Sequence, residues 1–381
     1  MRFVVFGGGG DMGRRAVAEL AVTPGVELVT IVGRTQSTLE KARAEALAAQ
    51  REAVNPATAE VVIETADARD YDAVVALMRR HDVALGALGP FYLYEEPMVK
   101  AAIVSRTPYV SLCDDAVAAA AALRYDRTAR EAGVTIVTGL GWTPGLTNIL
   151  ARRLAARLDK PTDITVAWAG SAMESSGHAV ALHTLYIFDG RVTTFADGRH
   201  VEVPAGSGSE DIEFPPPLGK VRVCHVGHPE PLTLPQHIPG VRSVALKGGL
   251  VEPTLHRLAV LTRRLGLART HCWREFWARV LVPMIPLLSR LGPRRPAVSG
   301  TVVRVRGERG GRPVTLEAGV TTSMRAMTAV PLAVGALWVA QGRARLPGVQ
   351  PPEAPGLFDP DEFLAELARR GVHVTITEQM G

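Results

Sequence analysis

The residues best suited to chemistry come first in the chain, in the run Gly7-Gly8-Gly9-Gly10-Asp11-Met12-Gly13. Gly8, Gly10 and Gly13 have the spacing with which a strand–turn–helix unit cradles a pyrophosphate. The first glycine permits the tight turn, the second lets backbone approach the phosphates, and the third lets helix pack closely on strand. Spacing alone is weak, but the apolar run Phe3 to Phe6 leads into it and Arg14 to Ala21 has helical composition. The free N–H groups and positive end of that helix then face the anion, with Asp11 and Met12 in the same turn. About 20 residues beyond the glycines, an NAD site usually places an acid for the ribose 2′-OH. This chain has Gly33-Arg34-Thr35 there. An arginine removes repulsion from a 2′-phosphate and offers it two donors, so Arg34 and Thr35 predict NADP(H).

Further along, Asp67 reads either as a hydrogen-bonding group near the adenine or as a helix cap. Leu88, Gly89, Pro90 and Phe91 follow the fourth β run at its carboxyl end, where open parallel sheets bind ligands, and are expected near the ribose and nicotinamide. Three residues are candidates for the chemistry itself. Asp114, with Asp115 beside it, could hold an amine or cap the next helix. His183 could give or take a proton near neutral pH or be an ordinary packed histidine. Lys247 could bind a substrate carboxylate or be a loop cation. His178 and His183 are five apart, which is wrong for a zinc pair on one helical face, and no metal is expected. Cys113 has no recognisable base and reads as a small buried apolar group.

These groups must be positioned by elements. From residue 2 to about 120, β runs (Phe3 to Phe6, Val26 to Val32, Val61 to Glu64, Val83 to Leu88, Tyr109 to Leu112) alternate with helical stretches, the mark of βαβ units and a doubly wound parallel sheet. Residues 1–145 are therefore expected to form an α/β Rossmann NADP-binding domain. Gly139-Leu140-Gly141-Trp142-Thr143-Pro144-Gly145 breaks the pattern before a helix and marks the crossover. Residues 146–323, with β runs between Gly- and Pro-rich loops and a hairpin around Gly307 to Gly311, read as a second, more antiparallel α+β domain. Residues 324–381 read as C-terminal helices packing back on the first domain.

The motifs resemble those of the saccharopine dehydrogenase-like oxidoreductases, a broad family that includes lysine 6-dehydrogenase and carboxynorspermidine dehydrogenase. The matching pieces are Val5 to Gly13, Gly89-Pro90-Phe91-Tyr92 with the helix through Lys100, Tyr109 to Asp115, Gly141 to Asn148, and Gly348 to Glu353 with Phe358 to Phe363. The family often has Tyr-Val-Asp where this chain has Tyr109-Val110-Ser111, so no role carries over to position 111. The resemblance implies a Rossmann domain, an inserted α+β domain for substrate and often dimerisation, hence a homodimer, and hydride transfer, commonly at a carbon–nitrogen bond; it does not imply the substrate, for which an amine, imine or amino acid held at the interdomain cleft is the first expectation. It also places the helix carrying His183 near that cleft. Two other readings remain: reduction of an activated carbon–carbon double bond in a lipid or polyketide intermediate, and a catalytically silent NADP(H)-binding protein.

Composition narrows the partners. The net charge of +5, from 43 basic and 38 acidic residues, comes without the basic stripe interleaved with aromatics that nucleic acid needs. Three scattered cysteines and the lack of a signal peptide fit the cytoplasm. The stretch 263–295 mixes Trp273, Phe276, Trp277 and Met284 with arginines. It can serve as a lid over an apolar substrate, a membrane-surface patch, or a buried connector packed on the second domain or a dimer partner, and the last is the preferred reading.

Overall fold

The computed structural model describes residues 1–53, 59–174, 178–266, 270–288 and 295–380. They form two compact units, one of residues 1–146 and 325–370, the other of residues 147–324 and 371–381.

The first unit runs β1 (Arg2–Phe6), α1 (Asp11–Ala21), β2 (Leu28–Gly33), α2 (Gln36–Glu52), β3 (Glu60–Thr65), α3 (Tyr71–Arg79), β4 (Val83–Gly86), α4 (Phe91–Ser105), β5 (Tyr109–Ser111), α5 (Ala116–Leu123), α6 (Asp126–Ala132) and β6 (Thr135–Val137). Phe3, Val4 and Val5 are wholly buried and Phe6 almost so. Such an uninterrupted apolar run suits a parallel strand covered on both faces. The helices start on recognisable caps: Asp70 accepts from the Ala73 N–H to open α3, and Asp115 from the Val117 and Ala118 N–H groups to open α5.

The second unit begins with α7 (Leu146–Ala155). It continues through β7 (Lys160–Gly170), α8 (His178–Ile187), β8 (Arg191–Ala196), β9 (Arg199–Pro204), β10 (Glu210–Phe214), β11 (Gly219–His225), α9 (Glu230–His237), β12 (Ser243–Leu250), α10 (Pro253–Arg264), α11 (His271–Leu281), α12 (Ile285–Leu288), β13 (Ser299–Arg309) and β14 (Arg312–Thr322). Then α13 (Met324–Ala340), β15 (Gly348–Gln350) and α14 (Pro360–Arg369) join the first unit, and β16 (Thr375–Met380) the second.

The first sheet has the order β15-β6-β5-β4-β1-β2-β3, and every pairing in it is parallel. This is the doubly wound arrangement expected, extended by β15 beyond β6. The helix α13 is buried along most of its length, and a Cβ on its Gly335 would lie 2.0 Å from the Leu140 side chain. Trp338, Phe358 and Phe363 close this edge as one aromatic cluster.

The second sheet runs β10-β11-β12-β7-β13-β14-β16 and is mixed, since β12 pairs with β7 in parallel while the other neighbours are antiparallel. The hairpin lies at Gly310 and Gly311, whose φ values of 59° and 74° fall in the left-handed region the turn needs. One expectation needs correction. The last residues do not follow the C-terminal helices onto the first unit, because β16 adds to β14 as a strand of the second sheet. Its sequence, Thr-Ile-Thr-Glu-Gln-Met, holds too few apolar residues to be told from a loop.

Candidate functional site

The nucleotide site is built where β1 stops. Gly7 has φ 78°, and a Cβ there would meet the Ala87 carbonyl oxygen at 2.5 Å, so the sharp turn belongs to Gly7. Sequence spacing had given that role to Gly8, whose own constraint is the Ile31 side chain, 2.6 Å from where its Cβ would sit. The signal for Gly7 was available, since it is the first residue after the strand. A Cβ on Gly13 would lie 2.2 Å from the Gly7 oxygen and 2.7 Å from Gly8 Cα, which sets how tightly α1 seats against the turn. Gly10 differs: its Cβ would find only the Gly7 oxygen, at 3.3 Å. The protein leaves that face open, as a backbone that must approach a ligand requires.

Gly10 caps α1 without a side-chain hydrogen bond, so the N–H groups of the first turn point outward with the helix dipole behind them. Asp11 does not cancel this field. Its carboxylate pairs with Arg14 at 2.6 Å and Arg325 at 2.8 Å, two cations that sequence reasoning did not place here. Met12 is half-buried in the same turn.

Beside the turn lies a pocket lined by Phe6, Gly7, Val32, Gly33, Arg34, Ala66, Asp67, Ala68, Leu88 and Tyr94. The structure thus brings Arg34, Asp67 and Leu88 together, from the ends of β2, β3 and β4. Asp67 is the only one of them already engaged by a cation: Arg69 donates to it from its guanidinium and backbone N–H, holding its carboxyl at about 2. Asp67 does not cap α3, a role that falls to Asp70. Arg34 is exposed at the pocket rim, and Thr35 next to it is the N-cap residue of α2. Gly89 and Pro90 lead into α4, whose first residue Phe91 packs on Cys113, Ala118 and Ala119. Tyr94, Ala66 and Ala68 were not foreseen, because nothing in their local sequence separates a pocket wall from a helix face or loop.

The residues present fit NADP(H): an open glycine turn at a helix start, an apolar slot for a flat ring, and a guanidinium where a 2′-phosphate would need one. Arg34→Asp is expected to weaken NADPH binding at least tenfold while leaving NADH within about threefold, as read by nucleotide fluorescence titration. Equal losses for both nucleotides would show that Arg34 does not read the 2′ position.

The proposed chemical residues separate. Asp114 follows β5 in the first unit, partly buried, and burial with Asp115 beside it holds its carboxyl well above the usual range. Asp115 is the α5 cap, so the capping role that sequence left open falls to it. Burial likewise pushes the Cys113 thiol up, which suits a packed group rather than a nucleophile. Lys247, in the second unit, is committed elsewhere: its ammonium is 2.6 Å from Glu210 and donates to the Gly208 carbonyl.

His183 is in a constellation that its own sequence neighbourhood does not announce. Its Nε2 lies 3.3 Å from Nε2 of His228, within reach of a ring-to-ring hydrogen bond whose direction the tautomers set. Nδ1 of the buried His228 lies 3.9 Å from Oε2 of Glu230, which is fully buried and accepts from the Thr147 hydroxyl at 3.0 Å. The indole of Trp168 lies against His228. All of these belong to the second unit. The side chain of His178, and Ser176 and Gly177 before it, lie outside the described residues.

A further carboxylate, missed by sequence, underlies the first unit. Glu95 of α4 is completely buried and accepts hydrogen bonds from Tyr109, Ser111 and Thr138. This accounts for the serine at 111: an acid there would face the Glu95 carboxylate at hydrogen-bond distance.

The first unit has the glycine turn and parallel sheet of a dinucleotide-binding Rossmann domain, and comparison with known proteins narrows it. Residues 3–137 match the family model of the saccharopine dehydrogenase NADP binding domain. The fold is that of apo saccharopine dehydrogenase (L-Glu forming) from Saccharomyces cerevisiae, with a TM-score of 0.68 over 99% of each chain at 15% identity. A lipid droplet localized protein of Caenorhabditis elegans is 28% identical over 142 residues, covering 36% of this chain and only 32% of that relative's length. Within the first unit, residues 3–137 are therefore of the saccharopine dehydrogenase NADP-binding type.

Proposed function

We propose that the protein is an NADP(H)-dependent oxidoreductase transferring hydride at a carbon–nitrogen bond of an amine, imine or amino-acid substrate. The observation that carries this reading is the glycine turn, with Arg34 at the rim of the adjoining pocket, in a domain of the saccharopine dehydrogenase NADP-binding type. When bound, the nicotinamide supplies or takes the hydride at its C4. The chain must hold the substrate and move one proton, to nitrogen on reduction and from nitrogen on oxidation.

His183 is the group we assign to that proton. What supports this is its Nε2 contact with His228, beside the buried Glu230 carboxylate, a pair of groups that could resupply the proton. Asp114 is the alternative on the first unit, its carboxyl pushed well above the usual range by burial, which favours the form that can donate. Lys247 is not retained, since its ammonium is already matched by Glu210.

The reading is tested by following NADPH oxidation with 2-oxo acids plus amines, against conjugated acyl thioesters. Turnover of the first set supports it. Turnover of thioesters alone would move the reaction to a carbon–carbon double bond. On an active substrate, His183→Gln should lower kcat about 100-fold and remove the pH-dependent limb near neutrality, with NADPH affinity unchanged. A retained limb would transfer the role to Asp114.

A further inference from the structure

The helix α11 has two apolar faces. One, with Trp277, Ala278 and Leu281, packs on Leu182 and Leu185 of α8. The other carries Trp273, Phe276 and Val280, spaced three and four apart and therefore on one side of the helix. Trp273 and Phe276 are each 51% exposed, their rings edge to face. Sequence reading preferred a packed connector here; that holds for the inner face alone. Apolar exposure is not confined to α11: seven of the twelve exposed large apolar side chains among the described residues lie between 261 and 287. A cluster of this kind on a protein surface marks a binding face.

Charge identifies what it binds. From 253 to 295 the sequence holds nine arginines, and its one acid is Glu275, whose charge Arg279 meets at 3.5 Å. Arg257 and Arg279 are exposed, in α10 and α11. A second copy of the chain, docked on this face by a twofold axis, would set like charges against each other. An anionic lipid headgroup layer instead offers the arginines counter-charges and gives tryptophan and phenylalanine the interfacial depth they favour. Among the described residues no helix is long and apolar enough to cross a membrane, so the contact is one of lying on the surface.

We propose that α10 to α12 dock the protein on an anionic phospholipid bilayer, with Trp273 and Phe276 entering the interface and the arginines holding the headgroups. This surface is independent of the assigned reaction. The test is co-sedimentation of the full chain, with NADPH present, on phosphatidylcholine vesicles made with and without phosphatidylglycerol. The expected result is binding to the anionic vesicles that weakens at high salt and falls about tenfold in the double variant Trp273→Glu, Phe276→Glu. Because both side chains point outward, the variant should melt as the parent does. Arg279→Glu should weaken binding by a smaller factor and make it less salt-dependent. No binding to anionic vesicles would overturn the proposal. So would binding that the double variant leaves intact, or a dimer in solution that the double variant dissociates while vesicles capture nothing.

Discussion

Gly13→Val should weaken NADPH binding by about 100-fold or more. The first atom of any side chain at 13 would lie 2.2 Å from the Gly7 oxygen and 2.7 Å from Gly8 Cα, both backbone atoms that no rotamer can move aside. Relief requires α1 to back away from the turn, and the N–H groups that bind phosphate move with it. Overpacking of this sort costs about 1–3 kcal/mol, and a displaced helix start forfeits the anion site in addition. Gly10→Ala is the informative contrast. Its Cβ has room within the protein, with the Gly7 oxygen at 3.3 Å, so the variant should melt close to the parent yet bind NADPH more weakly. Fluorescence titration and thermal melts of both variants check the pair. Unchanged NADPH affinity in Gly13→Val would remove the turn from the nucleotide site.

Glu95→Ala should be the most destabilising single change in the first unit that leaves the nucleotide contacts in place. It deletes the common acceptor of three buried hydroxyls, from Tyr109, Ser111 and Thr138, and opens a cavity between α4 and the ends of β5 and β6. About 3 kcal/mol is expected, read as a fall of several degrees in melting temperature. Glu95→Gln separates hydrogen bonding from charge. Burial raises the Glu95 carboxyl above its ordinary 4.5, more than its three hydroxyl donors lower it. The folded state therefore binds this proton more tightly than the unfolded chain, and the group's contribution to stability falls as pH rises above the ordinary glutamate range. The amide keeps an acceptor and has no charge to bury. Relative to the parent, Glu95→Gln should gain stability between acid and neutral pH, while Glu95→Ala loses it throughout. A parent whose stability rises with pH over that range, with Glu95→Gln below it at neutrality, would contradict this electrostatic account.

Much of the first unit was legible because its signals are local. Phe3 to Phe6 reads as a buried parallel strand from four consecutive residues, and the glycines follow directly. Arg34 was legible for the same reason, since its place after β2 is fixed by counting from the turn. Glu95 was not. It stands in Tyr94-Glu95-Glu96-Pro97, which looks like a solvated helix start, and its partners lie 14, 16 and 43 residues away. The histidine pair shows the same limit: His183 could be noticed as a titratable group, but His228 and Glu230 reach it across 45 residues through the fold of the second sheet. Lys247 shows the limit from another side. Its sequence neighbourhood leaves a substrate-carboxylate ligand and a loop cation both open, and only the sheet order, with β10 one strand beyond β11, brings Glu210 to it. The strand β16 stayed hidden because an edge strand with one solvent face needs little apolar sequence.

The central claim is that this chain binds NADP(H) through the glycine turn and Arg34, and calorimetric titration of the intact protein with NADPH and NADH tests it most directly. The account predicts that NADPH binds at least tenfold more tightly, the difference arising at the 2′-phosphate. Equal affinities, or tighter binding of NADH, would contradict it.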